Sequence, residues 1–119
     1  MLLIIDDDPS FLADAKEILS LGHNVLLAGS AEQGKSLLVK LADQIAMTMV
    51  DLNLPGQDGF SLILELRTIY PHMPILAVSG VQHWSVLEST IALGATAALR
   101  KPISREWVDT IRNIRNSRA

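Results

Sequence analysis

Three aspartates follow apolar runs of the chain, and carboxylates at this spacing could take part in chemistry. Asp6 and Asp7 come directly after Leu2–Ile5, and Asp51 follows Val50. Carboxylates that lie close together repel at neutral pH, and the ordinary remedies are protonation or a bound divalent cation. A site made of oxygen donors favours Mg²⁺ over zinc. If the fold brings these residues together, we expect a Mg²⁺ site with Asp7 and Asp51 as carboxylate ligands.

Two further polar residues follow later apolar runs in the same way. Ser79 comes after the fourth run, and Lys101 comes shortly after the fifth. A metal-bound carboxylate is a competent nucleophile toward an activated phosphoryl group, and it needs no general base because it is already ionised. An ammonium, a hydroxyl and loop amides can neutralise the phosphoryl oxygens. The pattern indicates phosphoryl transfer to a carboxylate, with Asp51 as the central candidate.

The elements that must position these residues alternate along the chain. Short apolar runs are separated by longer segments of helical period, which is typical of repeated βα units. The runs are Leu2–Ile5, Val25–Ala28, Ile45–Val50, Ile75–Val78 and Thr96–Leu99. Strands this apolar suit a parallel sheet covered on both faces. We therefore predict an α/β fold, a doubly wound three-layer sandwich of five strands and five helices, with ligands at the carboxyl ends of the strands.

Capping and stop residues mark the limits of the helices. The first helix is predicted to begin at Asp8-Pro9 and to end at Gly22. The second is predicted to open with Ser30 and Gln33 in capping-box spacing, and the third to run from about Gly59 to Pro71. The fourth is predicted near 82–93, and the fifth is predicted to begin near Ser104. The fifth places Trp107, Ile111 and Ile114 on one stripe, which should pack on the sheet.

Length and composition exclude several classes of protein. The 119 residues fit a single domain, 1–119, and no apolar run is long enough to span a bilayer. The amino terminus lacks a signal-peptide pattern, so we expect a cytoplasmic protein. There is no cysteine, and the three histidines lack paired spacing, which argues against zinc. The net charge of -3 argues against nucleic-acid binding by the whole surface, although six of the ten basic residues lie within 100–118.

Three fragments together resemble response regulator receiver domains. They are Ile-Ile-Asp-Asp-Asp-Pro at 4–9, Val-Asp-Leu-Asn-Leu-Pro-Gly-Gln-Asp-Gly-Phe at 50–60, and Lys-Pro at 101–102. Their order and spacing cover nearly the whole chain. The resemblance implies a flavodoxin-like receiver fold with strand order 2-1-3-4-5 and a role in two-component signal transduction.

The resemblance also implies a role for each polar residue of the site. Asp51 would be the phosphoacceptor, Lys101 and the Ser79 hydroxyl would contact the phosphoryl group, and the amides of Asn53 and Gly80 would add contacts. Mg²⁺, for which Mn²⁺ can substitute, would be bound by Asp7 and Asp51, by Asp6 directly or through water, and by the carbonyl of Asn53. The Lys101–Pro102 peptide bond would be cis.

Partners follow from the same resemblance. The phosphoryl group would come from a sensor histidine kinase or a histidine phosphotransfer protein, and the signal would pass to an output domain or a downstream protein. Helix 4, strand 5 and helix 5 would form a face suited to a homodimer. We expect neither membrane association nor direct nucleic-acid binding by this domain.

The chain departs from the family pattern at two positions. Ala98 stands where receivers usually carry an aromatic residue, so ring rotation cannot take part in the switch. Val81 stands where the family tunes the hydrolytic water, and we expect it to slow dephosphorylation. These departures leave a second hypothesis open, namely a receiver-like module that signals by binding without phosphorylation.

Other interpretations of the same residues remain. The aspartates could be a solvated turn and a helix cap, Lys101 an ordinary surface lysine, and Ser79 a turn residue. Trp84 and Trp107 fit packing roles better than ligand binding. An aspartyl-phosphate hydrolase is a further class, but its chemistry expects a second acid two residues after the nucleophile, and that position is Asn53.

Overall fold

The structure is a computed structural model that describes residues 1–80 and 84–117, apart from the side chain of Trp84. Within these residues, five parallel strands form one sheet of order 2-1-3-4-5, which confirms the predicted order. The strands are β1 (Leu2–Ile5), β2 (Val25–Ala28), β3 (Met47–Asp51), β4 (Ile75–Ser79) and β5 (Ala97–Arg100). The helices between and after them are α1 (Pro9–Leu19), α2 (Ala31–Leu41), α3 (Gly59–Ile69), α4 (Trp84–Leu93) and α5 (Arg105–Ser117).

Two apolar clusters cover the two faces of the sheet. Phe11 and Trp107 belong to the cluster that packs α1 and α5 on one face. Leu38 and Leu62 belong to the cluster that packs α2 and α3 on the opposite face. Because both faces are covered, every residue of β1, β3 and β4 is buried. This burial explains why those strands are continuously apolar rather than alternating.

Side-chain caps fix the starts of the first three helices. The Asp8 carboxylate accepts hydrogen bonds from the amides of Ser10 and Phe11, and Ser30 accepts one from the Gln33 amide. Asp58 accepts one from the Ser61 amide at the start of α3. These caps satisfy amides that have no partner within their own helix. The helix starts therefore follow the predicted signals closely.

Two of the differences from the predictions have a clear structural cause. The third apolar run was expected to form a strand from Ile45, but β3 begins at Met47, because the Ile45 amide still donates to the carbonyls of Leu41 and Ala42 at the end of α2. Ile45 is nevertheless buried, so its apolar character marks burial and not strand pairing. The Gln33 side chain accepts from the Gly29 amide, whereas a capping box would pair it with Ser30.

Among residues 1–80 and 84–117, we find no helix with the length and apolar character needed to cross a membrane.

Candidate functional site

The carboxyl ends of β1 and β3 bring the three predicted aspartates together. Asp6 and Asp51 are buried, whereas Asp7 is exposed on the rim. One oxygen from each of the three carboxylates can be chosen so that all lie within 4.8 Å of one another. The parallel pairing of β1 with β3 causes this convergence, because Ile5 is aligned with Val50, one residue before each acidic position.

The connection from β3 to α3 holds Asp51 closely against the start of the helix. The Gly59 amide donates to the Leu52 carbonyl at 3.1 Å. A β-carbon at Gly59 would collide with the carbonyl of Asp51 and with the backbone of Leu52. Only glycine therefore allows α3 to begin this close to the end of β3.

Lys101 completes the group of charges from the end of β5. Its Nζ lies 2.7 Å from Oδ2 of Asp6 and 3.8 Å from Oδ1 of Asp51. The same Nζ lies 4.4 Å from the centre of the Phe11 ring, so the ring supports the ammonium by a cation–π contact. The Lys101 amide donates to the Ser79 carbonyl, and the Lys101–Pro102 bond is cis, as the resemblance implied.

The pKa of Asp51 is raised above its ordinary value. Burial of the carboxyl is the largest cause, and the negative charge of Asp6 adds to it. The Lys101 ammonium and a hydrogen bond from the Asn53 amide oppose the shift without cancelling it. The site therefore holds excess negative charge in a poorly solvated position, which a bound cation would relieve.

The donor set fits a hard divalent cation. Oδ1 of Asp6 accepts a hydrogen bond from the Asp8 amide at 2.9 Å, and its buried Oδ2 forms the ion pair with Lys101 Nζ at 2.7 Å. One ammonium beside three carboxylates leaves excess negative charge at the site, and buried charge that is not fully paired is costly. Clustered carboxylates of this kind are the ligands that Mg²⁺ prefers.

The remaining predicted site residues lie at the edges of this cluster. Ser79 is buried at the end of β4, and Gly80 is exposed immediately after it. Asn53 is exposed in the loop after β3, and its amide is the one that bonds to the Asp51 carboxylate. The structure thus places these residues around Asp51, although their contacts with a phosphoryl group remain predictions.

Ala98 leaves a small hollow on the surface beside α4. The hollow has a volume of about 120 Å³ and is lined by Leu87, Glu88, Ile91 and Ala98. Val81, on which the prediction about dephosphorylation rests, and the side chain of Trp84 lie outside the described residues. Trp107 is fully buried and donates from its indole to the Arg100 carbonyl, so its predicted packing role is confirmed.

Sequence reasoning missed two contacts that support the site. The first is the contact of the Phe11 ring with the Lys101 ammonium. In the loop after β3, the Gln57 amide donates to Glu65, which also pairs with Lys35 of α2 at 3.1 Å. No sequence signal identifies either contact, because both join residues from different elements.

Comparison with known proteins agrees with this arrangement. Residues 2–112 match the family described as the response regulator receiver domain. The chain is 30% identical to response regulator protein FleR of Pseudomonas aeruginosa over 92% of its length, and 30% identical to transcriptional regulatory protein AruR of the same organism over 95%. The chain spans 23% of FleR and 48% of AruR.

Solved structures show the same fold. A response regulator receiver domain protein from Clostridium thermocellum superposes with a TM-score of 0.91 and 27% identity, covering 98% of this chain and 94% of that one. A chain of the CheX–CheY–BeF3–magnesium complex from Borrelia burgdorferi superposes with a TM-score of 0.84, covering 99% of this chain and 88% of that one. At 18% identity, the second likeness concerns the fold alone.

Proposed function

The chain belongs to the response regulator receiver domain family, and from that premise we propose that it accepts a phosphoryl group on the Asp51 carboxylate in a Mg²⁺-dependent reaction. The family is a signalling domain of two-component systems, and it binds Mg²⁺ at an acidic pocket. The observation that carries the proposal is the cluster of Asp6, Asp7 and Asp51 beside the Lys101 ammonium.

In this proposal, the carboxylates of Asp6, Asp7 and Asp51 and the carbonyl of Asn53 hold the metal. When bound, Mg²⁺ supplies positive charge that offsets both the carboxylates and the phosphoryl oxygens. Lys101 is held near Asp51 by its ion pair with Asp6 and by the Phe11 ring. Its ammonium and the Ser79 hydroxyl then neutralise the remaining charge on the phosphoryl group.

The proposed donor is a phosphohistidine on a sensor kinase or a phosphotransfer protein. One oxygen of the Asp51 carboxylate forms a bond to phosphorus while the bond from phosphorus to the donor nitrogen breaks. The nitrogen keeps the electron pair and takes up a proton. Asp51 needs no general base because it acts as a carboxylate, and hydrolysis of the acyl phosphate later returns it to that state.

Intact-protein mass spectrometry of the chain with a small phosphodonor tests the proposal. We expect a Mg²⁺-dependent mass increase of one phosphoryl group, and the variant Asp51→Asn should lose it. Beryllofluoride with Mg²⁺ should also change tryptophan fluorescence, because buried Trp107 contacts Phe11 with 5.7 Å between ring centres, and Phe11 contacts Lys101.

The matched control is Asp58→Asn, which makes the same substitution in the same loop. Asp58 is exposed and caps α3, and asparagine caps helices as well as aspartate does. This variant should form the adduct like the wild type. A folded wild type that binds Mg²⁺ but gains no adduct from a small phosphodonor or from a phosphohistidine donor would contradict the proposal.

The hollow at Ala98 favours a second candidate function, a module that signals by binding alone. Position 98 has no aromatic side chain, so ring rotation cannot connect the phosphorylated site to the face made by α4, β5 and α5. The retained acidic cluster supports phosphorylation over this alternative, because a carboxylate cluster without a ligand is costly to bury.

The partners, the domain limits, the cellular location and the pairing of the chain are also proposals. Receiver domains work with histidine kinases or phosphotransfer proteins and with output domains, and we propose the same classes of partner here. We also propose that residues 1–119 are one receiver domain acting in the cytoplasm, and that phosphorylation controls pairing through the face of α4, β5 and α5.

A further inference from the structure

The Lys101 ammonium has three close neighbours, and one of them is an aromatic ring. Nζ lies 2.7 Å from Oδ2 of Asp6, 3.8 Å from Oδ1 of Asp51 and 4.4 Å from the centre of the Phe11 ring. The Lys101 side chain is 22% exposed, and Phe11 is 8% exposed. Because little water reaches this contact, the attraction between the cation and the ring is stronger than at an open surface. The ring therefore contributes to where the ammonium lies.

The Phe11 ring is itself packed against Trp107 of α5. The two ring centres are 5.7 Å apart, and the ring planes are tilted by 55°. Aromatic rings attract each other at this distance and tilt. Trp107 is fully buried, and its indole N–H donates to the Arg100 carbonyl at 2.8 Å. Trp107 therefore contacts both the ring beside the ammonium and the backbone of the residue that precedes Lys101.

We propose that Phe11 is a positioning residue for phosphoryl transfer to Asp51, because its ring keeps the Lys101 ammonium within reach of the phosphoryl group. This inference rests on the proposed phosphorylation of Asp51 and adds a residue to that site. An ammonium attracted by Asp6 alone would stay paired with that carboxylate. The ring attracts the ammonium without an ion pair, so Lys101 exchanges Asp6 for a phosphoryl oxygen while it keeps its contact with the ring.

The same contacts connect the site to α5. When a phosphoryl group draws the Lys101 ammonium toward itself, the surroundings of the Phe11 ring change, and Trp107 packs directly against that ring. Ala98 on β5 provides no ring that could respond to the site, whereas α1 and α5 each provide one. Because protein interiors are closely packed, displacement of one ring is felt by the next. We therefore expect α5 to respond to phosphorylation through Trp107.

The rate of adduct formation with a small phosphodonor and Mg²⁺, followed by intact-protein mass spectrometry, tests the proposal. Phe11→Leu removes the ring but keeps an apolar side chain, and we expect it to form the adduct about fivefold more slowly than the wild type. The matched control is Phe60→Leu, because Phe60 is the other phenylalanine of the chain and packs in the cluster on the opposite sheet face. This control should form the adduct at the wild-type rate.

Fluorinated phenylalanines at position 11 separate the electrostatic role of the ring from its packing role. Mono-, di- and trifluorophenylalanine make the ring face progressively less negative while its size changes little. We expect the rate of adduct formation to fall with each added fluorine, and the urea midpoint of unfolding to stay close to that of the wild type. A ring that only fills space would give the same rate throughout the series.

Tryptophan fluorescence tests the connection to α5. In a Trp84→Phe background, Trp107 is the remaining tryptophan, and its emission should change with beryllofluoride and Mg²⁺. Phe11→Leu should lose most of this change, although native mass spectrometry still detects bound beryllofluoride. A wild type that forms no adduct would overturn both proposals. If the wild type forms the adduct, an equally fast Phe11→Leu variant, a fluorinated series without a trend, or an undiminished Trp107 response would overturn this one alone.

Discussion

At the carboxyl end of the sheet, Asp6 and Asp51 are buried next to one another, and the Lys101 ammonium lies 2.7 Å and 3.8 Å from their carboxylates. At the amino end, the guanidinium of Arg67 donates to the carbonyls of Gly94, Tyr70 and Pro71 and, more weakly, to the Thr96 hydroxyl. The first region holds charge that the protein itself does not fully pair. In the second region, the charged guanidinium donates hydrogen bonds to four acceptors.

The difference separates two uses of polar groups at the ends of the sheet. A cluster that satisfies its own hydrogen bonds stabilises the fold, and here it joins the end of α3 to the start of β5. A cluster in which one ammonium faces three carboxylates, and in which the pKa of Asp51 is raised, costs folding free energy. Such a cost is expected where a ligand supplies the missing interactions. We therefore expect substitutions in the two regions to change stability in opposite directions.

The largest effect should come from Arg67→Ala at the amino end. The carbonyls that accept from the guanidinium lose their donor, and we expect the free energy of unfolding to fall by about 2 to 3 kcal/mol. Urea unfolding measures this change. The variant should still respond to Mg²⁺ and beryllofluoride, because Arg67 lies at the other end of the sheet.

Arg67→Lys is the matched variant, since it keeps the positive charge but cannot donate in several directions from a planar group. It should recover less than half of the lost stability. Full recovery would mean that charge near the end of α3, and not the hydrogen-bond pattern, accounts for the stabilisation.

A smaller loss is expected from Gly94→Ala in the same region. Gly94 has a φ of +119°, which L side chains rarely adopt, and a β-carbon there would collide with the side chain of Arg67. We expect a loss of about 1 to 2 kcal/mol in urea unfolding. Part of the loss comes from the collision, so the combined variant Gly94→Ala, Arg67→Ala should lose less than the sum of the single changes. A strictly additive result would assign the whole effect to the backbone.

Much of the fold could be predicted because local signals mark it. The limits of β1 and β2 match their apolar runs, and Asp8 and Ser30 mark helix starts that the structure confirms. The start of β3 was wrong because an apolar side chain reports burial, and Ile45 is buried without pairing in the sheet.

From the sequence, the site could be predicted only to lie where the carboxyl ends of the strands meet. Parallel strands bring their carboxyl ends to one edge, so the proximity of Asp6, Asp7 and Asp51 followed from topology. The position of the Lys101 ammonium between Asp6 and the Phe11 ring could not be predicted, because it depends on how α1 packs. The Arg67 cluster was missed for the same reason, since its acceptors lie in two loops, residues 70–71 and 94–96, that are distant from each other in the sequence.

The smallest of the three effects, and the only gain in stability, should come from Asp51→Asn at the carboxyl end. The folded-state pKa of Asp51 is raised by burial and by Asp6, so ionisation of this carboxyl opposes folding. The stabilisation of the fold that comes from a neutral Asp51 carboxyl is fully present at pH values below its unfolded-state pKa. It is lost as the pH rises through the folded-state pKa. Asparagine keeps the neutral shape at every pH. In EDTA at neutral pH, the variant should be more stable by about 1 kcal/mol.

The pH dependence decides whether charge is the cause. As the pH falls through the folded-state pKa of Asp51, the wild type becomes neutral at this position, so its difference in stability from Asp51→Asn should shrink toward zero. Added Mg²⁺ at neutral pH should shrink the difference too, because the cation binds the ionised cluster and stabilises the wild type more. Thermal or urea unfolding at several pH values measures both trends. If the variant is less stable than the wild type at neutral pH without metal, Asp51 stabilises the fold as Arg67 does, and the contrast between the two ends of the sheet fails.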